Sequence, residues 1–136
     1  MQVQPYLNFD GRCEEAIDFY KSALGAEVVM LMRYKESPDR SMIPPGAGDK
    51  ILHCALRIGE TTFFASDGRL QNQASFKGIA LSLTAANDAE AERLFAALAT
   101  GGQVQMPMAK TFFSSRFGML ADRFGVGWMV IVAQPQ

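Results

Sequence analysis

The stretch Thr111–Val132, TFFSSRFGMLADRFGVGWMVIV, holds two apolar runs joined by the tight-turn segment Asp122-Arg123-Phe124-Gly125. Two such runs around a Gly-containing turn predict a β-hairpin. The runs carry Phe112, Phe113, Phe117, Met119, Trp128 and Met129. A hairpin this apolar needs an element to cover its face and strands to pair its edges. The remainder of the chain is therefore expected to supply both.

Upstream, apolar residues alternate with others. Val3, Pro5, Leu7 and Phe9 share one side of a strand predicted over Val3–Phe9, with Gln4, Tyr6 and Asn8 on the other. Asp10 is placed to cap the next helix. In that helix Cys13, Ala16, Ile17, Tyr20 and Leu24 form one apolar stripe, and Gly25 ends it. Ala26–Tyr34 reads as a second strand. The segment Lys35–Lys50, KESPDRSMIPPGAGDK, has prolines and glycines that exclude regular structure, so it is expected to be a mobile loop or a lid. Ile51–Ile58 and Thr61–Asp67 are two more strands around a Gly59-Glu60 turn. Gly68–Ser75 is a polar connector.

The order then restarts. Gly78–Thr84 is a strand. Asn87 caps a helix, with Glu90 three residues on, and Ala91, Leu94, Phe95 and Leu98 form its apolar stripe. Gly101-Gly102 ends it, Gln103–Ala109 is a strand, and the opening hairpin completes the set. Leu7-Asn8-Phe9 matches Leu81-Ser82-Leu83, and AIDFYKSALGAEV matches EAERLFAALATGGQV. Strand, helix, three strands, repeated, predicts an α+β fold of two βαβββ modules. They occupy residues 1–70 and 76–136 of a single domain, 1–136. Their sheets are expected to be cupped and mixed, with the helices outside.

Composition narrows the function. The 136 residues are 49% hydrophobic and 20% charged, with net charge −1. These are globular values, with no basic stripe for nucleic acid. No apolar run is long enough to span a membrane. The start, Met1-Gln2-Val3-Gln4-Pro5, lacks the marks of a signal peptide, and Cys13 and Cys54 sit in no metal or disulfide motif. Two free thiols without an export signal fit a cytoplasmic protein.

The segments Pro5-Tyr6-Leu7-x-Phe9-x-Gly11, Ala16-Ile17-x-x-Tyr20, Leu24-Gly25-Ala26-Glu27 and Ser66-Asp67 continue into Thr111-Phe112-Phe113, Phe117-Gly118 and Asp122-x-Phe124-Gly125-Val126-x-Trp128-Met129. Together with the duplication they resemble the vicinal oxygen chelate superfamily of glyoxalase I, extradiol dioxygenases and bleomycin-resistance proteins. The nearer resemblance is to its PhnB/YjdN-like group. That group has carried the label of a ubiquinone-biosynthesis methyltransferase, but this chain has no Gly-rich strand-to-helix loop of the kind that holds a nucleotide-like cofactor.

Metal-dependent members of the superfamily place a His or Glu on each of four strands, and the ion polarises vicinal oxygens as a Lewis acid. The repeat puts Gln4, Phe64, Gly78 and Met129 at those places. Only Gln4 has a donor atom suited even poorly to a transition metal. No metal and no cofactor are therefore expected. The resemblance implies a concave pocket for a small, partly apolar molecule, with Tyr6, His53, Phe64, Phe113 and Met129 as its ligand-binding residues. Aromatic and Met side chains on strands are also ordinary core residues. His53, the one histidine, is either an anchor or a semi-buried structural residue. Cys54 alternates to the opposite face, so the two form no dyad. The expected function is metal-free small-molecule binding. The alternative is a lyase or isomerase with an atypical metal site. Sheet edges that one chain closes poorly, and the two-fold assemblies of relatives, imply a homodimer.

Overall fold

The computed structural model describes residues 1–68, 70 and 74–133. The chain divides into two compact units, Met1–Ala74 and Ser75–Gln136. Unit 1 runs β1 (Tyr6–Asn8), α1 (Cys13–Leu24), β2 (Glu27–Arg33), β3 (Ile51–Ile58) and β4 (Thr61–Ser66). Unit 2 runs β5 (Ala80–Ala85), α2 (Asp88–Ala99), β6 (Gln103–Ala109), β7 (Phe117–Ala121) and β8 (Gly127–Val132). The two sheets have the same topology, β1-β4-β3-β2 and β5-β8-β7-β6. In each, the first strand pairs parallel with the last and the other pairs are antiparallel. The fold is α+β, two βαβββ modules, as the repeat predicts.

Each helix covers one face of its own sheet. On α1 the stripe Cys13, Ala16, Ile17 and Tyr20 is buried, and Ala23 joins it where Leu24 was expected. Gly25 ends α1 in the left-handed conformation, with φ 66°, and its N–H bonds to the Lys21 carbonyl. On α2 the buried stripe is Ala91, Leu94, Phe95 and Leu98. Burying each of the larger three contributes about 1.5–3 kcal/mol. The Asn87 side chain accepts the Glu90 N–H at 2.8 Å, and the Glu90 carboxylate accepts the Ala86 N–H at 3.3 Å. Facing α2, Gly118, Leu120, Trp128, Val130 and Val132 are buried, while Phe117, Met119, Met129 and Ile131 on the other face are half-buried. Gly118 must lack a side chain: a Cβ there would come within 2.7 Å of Phe95 and of the Met108 sulfur.

Four local expectations are corrected. The first strand is Tyr6–Asn8 and not Val3–Phe9. Its pairing with β4 begins at Tyr6 opposite Phe64, and Val3, ahead of it, is 96% exposed. The Thr62 carbonyl is taken by the Gln4 side chain at 2.8 Å. Asp10 does not cap α1. It sits at φ 52°, Arg12 is the N-cap residue, and another carboxylate reaches the helix start.

The segment Lys35–Lys50 is not without regular structure. It lies among two short 3-10 turns, Tyr34–Glu36 and Arg40–Met42. Its base is closed by Tyr34 N–H to Lys50 O at 3.0 Å and Lys35 N–H to Gly48 O at 2.9 Å. The Lys35 ammonium pairs with Asp49 at 2.8 Å, and the Tyr34 hydroxyl donates to the Gly68 carbonyl. Finally, the first apolar run of the opening stretch is a strand only from Phe117 onward, and Phe112 before it is 99% exposed. The connector Gly68–Ser75 falls outside the described residues at positions 69 and 71–73.

Candidate functional site

In unit 1 the sheet register sets one face apart from the helix. Leu7, Ala65 and Cys54 lie side by side and are buried on the α1 side. Tyr6, Phe64 and Ala55 pair in the next row, so they share the opposite face, and His53 follows two residues from Ala55. Three of the expected site residues are thus brought together. The Tyr6 hydroxyl lies 3.3 Å from His53 Nδ1. The ring centroids of His53 and Phe64 are 5.4 Å apart, those of Tyr6 and His53 5.7 Å, and those of Tyr6 and Phe64 6.3 Å. Tyr6 is 54% exposed, and His53 and Phe64 are half-buried. This is an open aromatic shelf with one hydrogen-bonding pair in it.

The other two expected residues lie in unit 2. Met129 sits on the face of β8 away from α2 and pairs with Met119 of β7. Phe113 lies before β7, edge-on to Phe112 and Phe117 at centroid distances of 5.1 and 5.0 Å.

The positions where the superfamily would hold a metal do not fit one. Gln4 spends its amide N–H on a backbone carbonyl. Phe64 stacks on His53, Gly78 has no side chain, and Met129 offers only a thioether. That donor set has no anionic or imidazole ligand to hold a hard or borderline cation. Among the described residues no three His, Cys, Asp or Glu side chains group together.

Two buried carboxylates went unrecognised as anchors in the sequence. Asp67, 1% exposed, accepts the N–H groups of Gly11 and Cys13 with Oδ1 and of Ile51 with Oδ2, each at 2.8 Å. Asp122 accepts the N–H groups of Phe124 and Val126 at 2.9 and 3.1 Å, and the Trp128 indole N–H at 3.0 Å. The only signal was an Asp beside a Gly-containing turn, which is ordinary turn chemistry. Both are structural. Cys13 and Cys54 are likewise interior, fully buried, with their sulfurs 3.9 Å apart. The hydrogen bond to Cys54, and then burial, push the Cys13 thiol far above its ordinary range, so it stays protonated.

Two mixed four-stranded sheets, each backed by one helix, with this connectivity define a protein of the glyoxalase/bleomycin-resistance, or vicinal oxygen chelate, fold. A glyoxalase/bleomycin resistance protein/dioxygenase family enzyme from Burkholderia phytofirmans has it too, with a TM-score of 0.60 at 13% identity over 97% of this chain and 96% of that one. Within the fold, the chain belongs to the PhnB-like family whose model is described as 3-demethylubiquinone-9 3-methyltransferase and matches residues 1–131. Protein YjdN of Escherichia coli K12 is 33% identical over 144 residues, covering 100% of this chain and 98% of YjdN. Protein PA1353 of Pseudomonas aeruginosa superposes with a TM-score of 0.88 at 43% identity, covering 99% of both chains. A PhnB protein from Bacillus cereus does so with a TM-score of 0.82 at 29% identity, over 98% of this chain and 100% of that one. Among the described residues no helix is long and apolar enough to cross a membrane.

Proposed function

We propose that this protein binds a small, partly apolar molecule without a metal, with Tyr6, His53 and Phe64 as its contact residues in unit 1. The observation that carries the reading is the half-open aromatic shelf around the Tyr6–His53 pair. Flat apolar side chains with one polar anchor suit an orientable small ligand. Phe113 and Met129 are assigned the same role in unit 2. A lyase or isomerase acting on vicinal oxygens would need a Lewis acid, and the four superfamily positions supply no anionic or imidazole ligand for one.

The test is paired. Wild type and His53→Ala are titrated with the best compound from a fragment screen and are also melted. An anchoring His53 predicts affinity weakened by about 1–3 kcal/mol, the cost of stranding a polar partner. Unchanged affinity with lowered stability would assign His53 to structure instead.

We also propose a homodimer. Strands β2 and β6 are each one of the two edge strands of their sheets, and they leave Val28, Val29 and Met30, and Val104 and Met106, exposed. Exposed apolar edge strands invite pairing with another chain. Size-exclusion chromatography with light scattering should give twice the chain mass at micromolar concentration. A monomer there would reject the dimer.

A further inference from the structure

We propose that the Tyr6 hydroxyl holds His53 with Nε2–H turned outward as a fixed donor, and that this donor, beside Phe64, takes a flat aromatic compound bearing a carboxylate or carbonyl oxygen. The inference deepens the small-molecule reading and rests on it. Its first part follows from the hydrogen bond. Tyr6 Oη and His53 Nδ1 are 3.3 Å apart. A phenol O–H is a better donor than a neutral imidazole N–H, and an imidazole nitrogen is a better acceptor than a phenol oxygen. The favoured arrangement therefore has Tyr6 donating to Nδ1, which puts the ring proton on Nε2. If the ring gains a proton, Nδ1–H donates to the Tyr6 oxygen and Nε2 keeps its hydrogen. In both states Nε2 is a donor and not an acceptor. Among the described residues nothing bonds to Nε2, since the bond to Tyr6 is the one His53 makes.

The second part follows from the surroundings. The three rings incline to one another by 29–39°, so a flat ring can lie along them. The flanking positions on the same face, Asn8, Thr62, Ser66 and Ala55, and Met32 opposite His53 on β2, carry no charge. Further along β3 on that face, Arg57 is engaged in an ion pair with Glu27. The Glu27 carboxylate, opposite Arg57 on β2, already has that cation beside it. A lone outward donor on an aromatic floor selects an acceptor, and an anionic acceptor most of all.

His53 is the one histidine in the sequence, so its ring can be read without assignment ambiguity. Two-bond 1H–15N correlation of the imidazole should show the Nε2–H tautomer in the neutral wild type, and Tyr6→Phe should raise the share of Nδ1–H. Benzoate, used as the probe, should shift the His53 ring resonances on titration, and Tyr6→Phe should weaken that binding about threefold to tenfold, one neutral hydrogen bond's worth. Benzylamine, of like size and opposite charge, should not compete. A dominant Nδ1–H tautomer in the wild type overturns the proposal. So does benzoate that leaves the His53 ring unmoved, or benzylamine that binds there as well. A broad fragment screen that finds no binder anywhere on the protein is a different failure. It removes the small-molecule reading, while the tautomer is still measured on its own.

Discussion

Asp67→Ala should lower the unfolding free energy by about 3–5 kcal/mol, read from urea denaturation followed by circular dichroism. The carboxylate is 1% exposed and is the acceptor for three backbone N–H groups, those of Gly11, Cys13 and Ile51. Two of those bonds are buried. Alanine leaves the donors without a partner in a place that water reaches poorly, and each stranded group costs about 1–3 kcal/mol. The bonds also tie three pieces together: the turn before α1, the first turn of α1 and the start of β3. The negative charge at the start of α1 adds a favourable interaction with the helix dipole. Asp67→Asn keeps one acceptor oxygen and should lose less, about 1–3 kcal/mol. In the alanine variant, the Cys13 amide should lose hydrogen-exchange protection before amides of unit 2 do. A loss below about 1 kcal/mol for alanine would show that the three donors find other partners.

The difference between Asp10 and Asp67 shows what a sequence carries and what it does not. An Asp just before an amphipathic stripe is the usual N-cap signal, so Asp10 was the natural choice. The cap that forms comes from Asp67, 54 positions beyond the Cys13 whose N–H it accepts. No local pattern encodes that, because it depends on β1 and β4 lying parallel with Leu7 opposite Ala65. The elements themselves were legible because their signals are local. The stripes on α1 and α2 recur at the helical period, and two apolar runs around a turn mark β7 and β8, although only the structure shows that burial alternates along them. The period of two also separated His53 from Cys54 correctly: Cys54 meets Cys13 under the helix, and His53 meets Tyr6 on the other face. The Tyr6–His53 hydrogen bond was not readable. It joins residues 47 apart, and its existence depends on the offset between β1 and β3 across the intervening β4. Phe112 failed for the opposite reason. Its local apolarity looked like a strand, but the ladder between β7 and β8 begins at Phe117 opposite Ile131, and nothing described covers the residue beyond.

Removing the second buried carboxylate, Asp122→Ala, should cost about 2–4 kcal/mol and should loosen the very hairpin on which the fold reading began. Asp122 builds the β7–β8 turn from both ends. Its backbone N–H bonds to the Val126 carbonyl and its own carbonyl accepts the Gly125 N–H, each at 2.9 Å. Its Oδ1 gathers the N–H groups of Phe124 and Val126, and its Oδ2 takes the indole N–H of Trp128, which is 3% exposed. Gly125, at φ 87°, allows the chain to turn back without strain. The indole bond can be isolated by a double-mutant cycle. Trp128→Phe removes the N–H, and most of the apolar contact with the α2 side is retained. A charge-assisted bond of this kind predicts that Asp122→Ala and Trp128→Phe together cost less than the sum of their separate effects, by about 1.5–3 kcal/mol. Because Trp128 is the one tryptophan, unfolding must be followed by circular dichroism and not by fluorescence. Strict additivity would mean that the indole bond contributes nothing, and that Asp122 acts through the turn N–H groups alone.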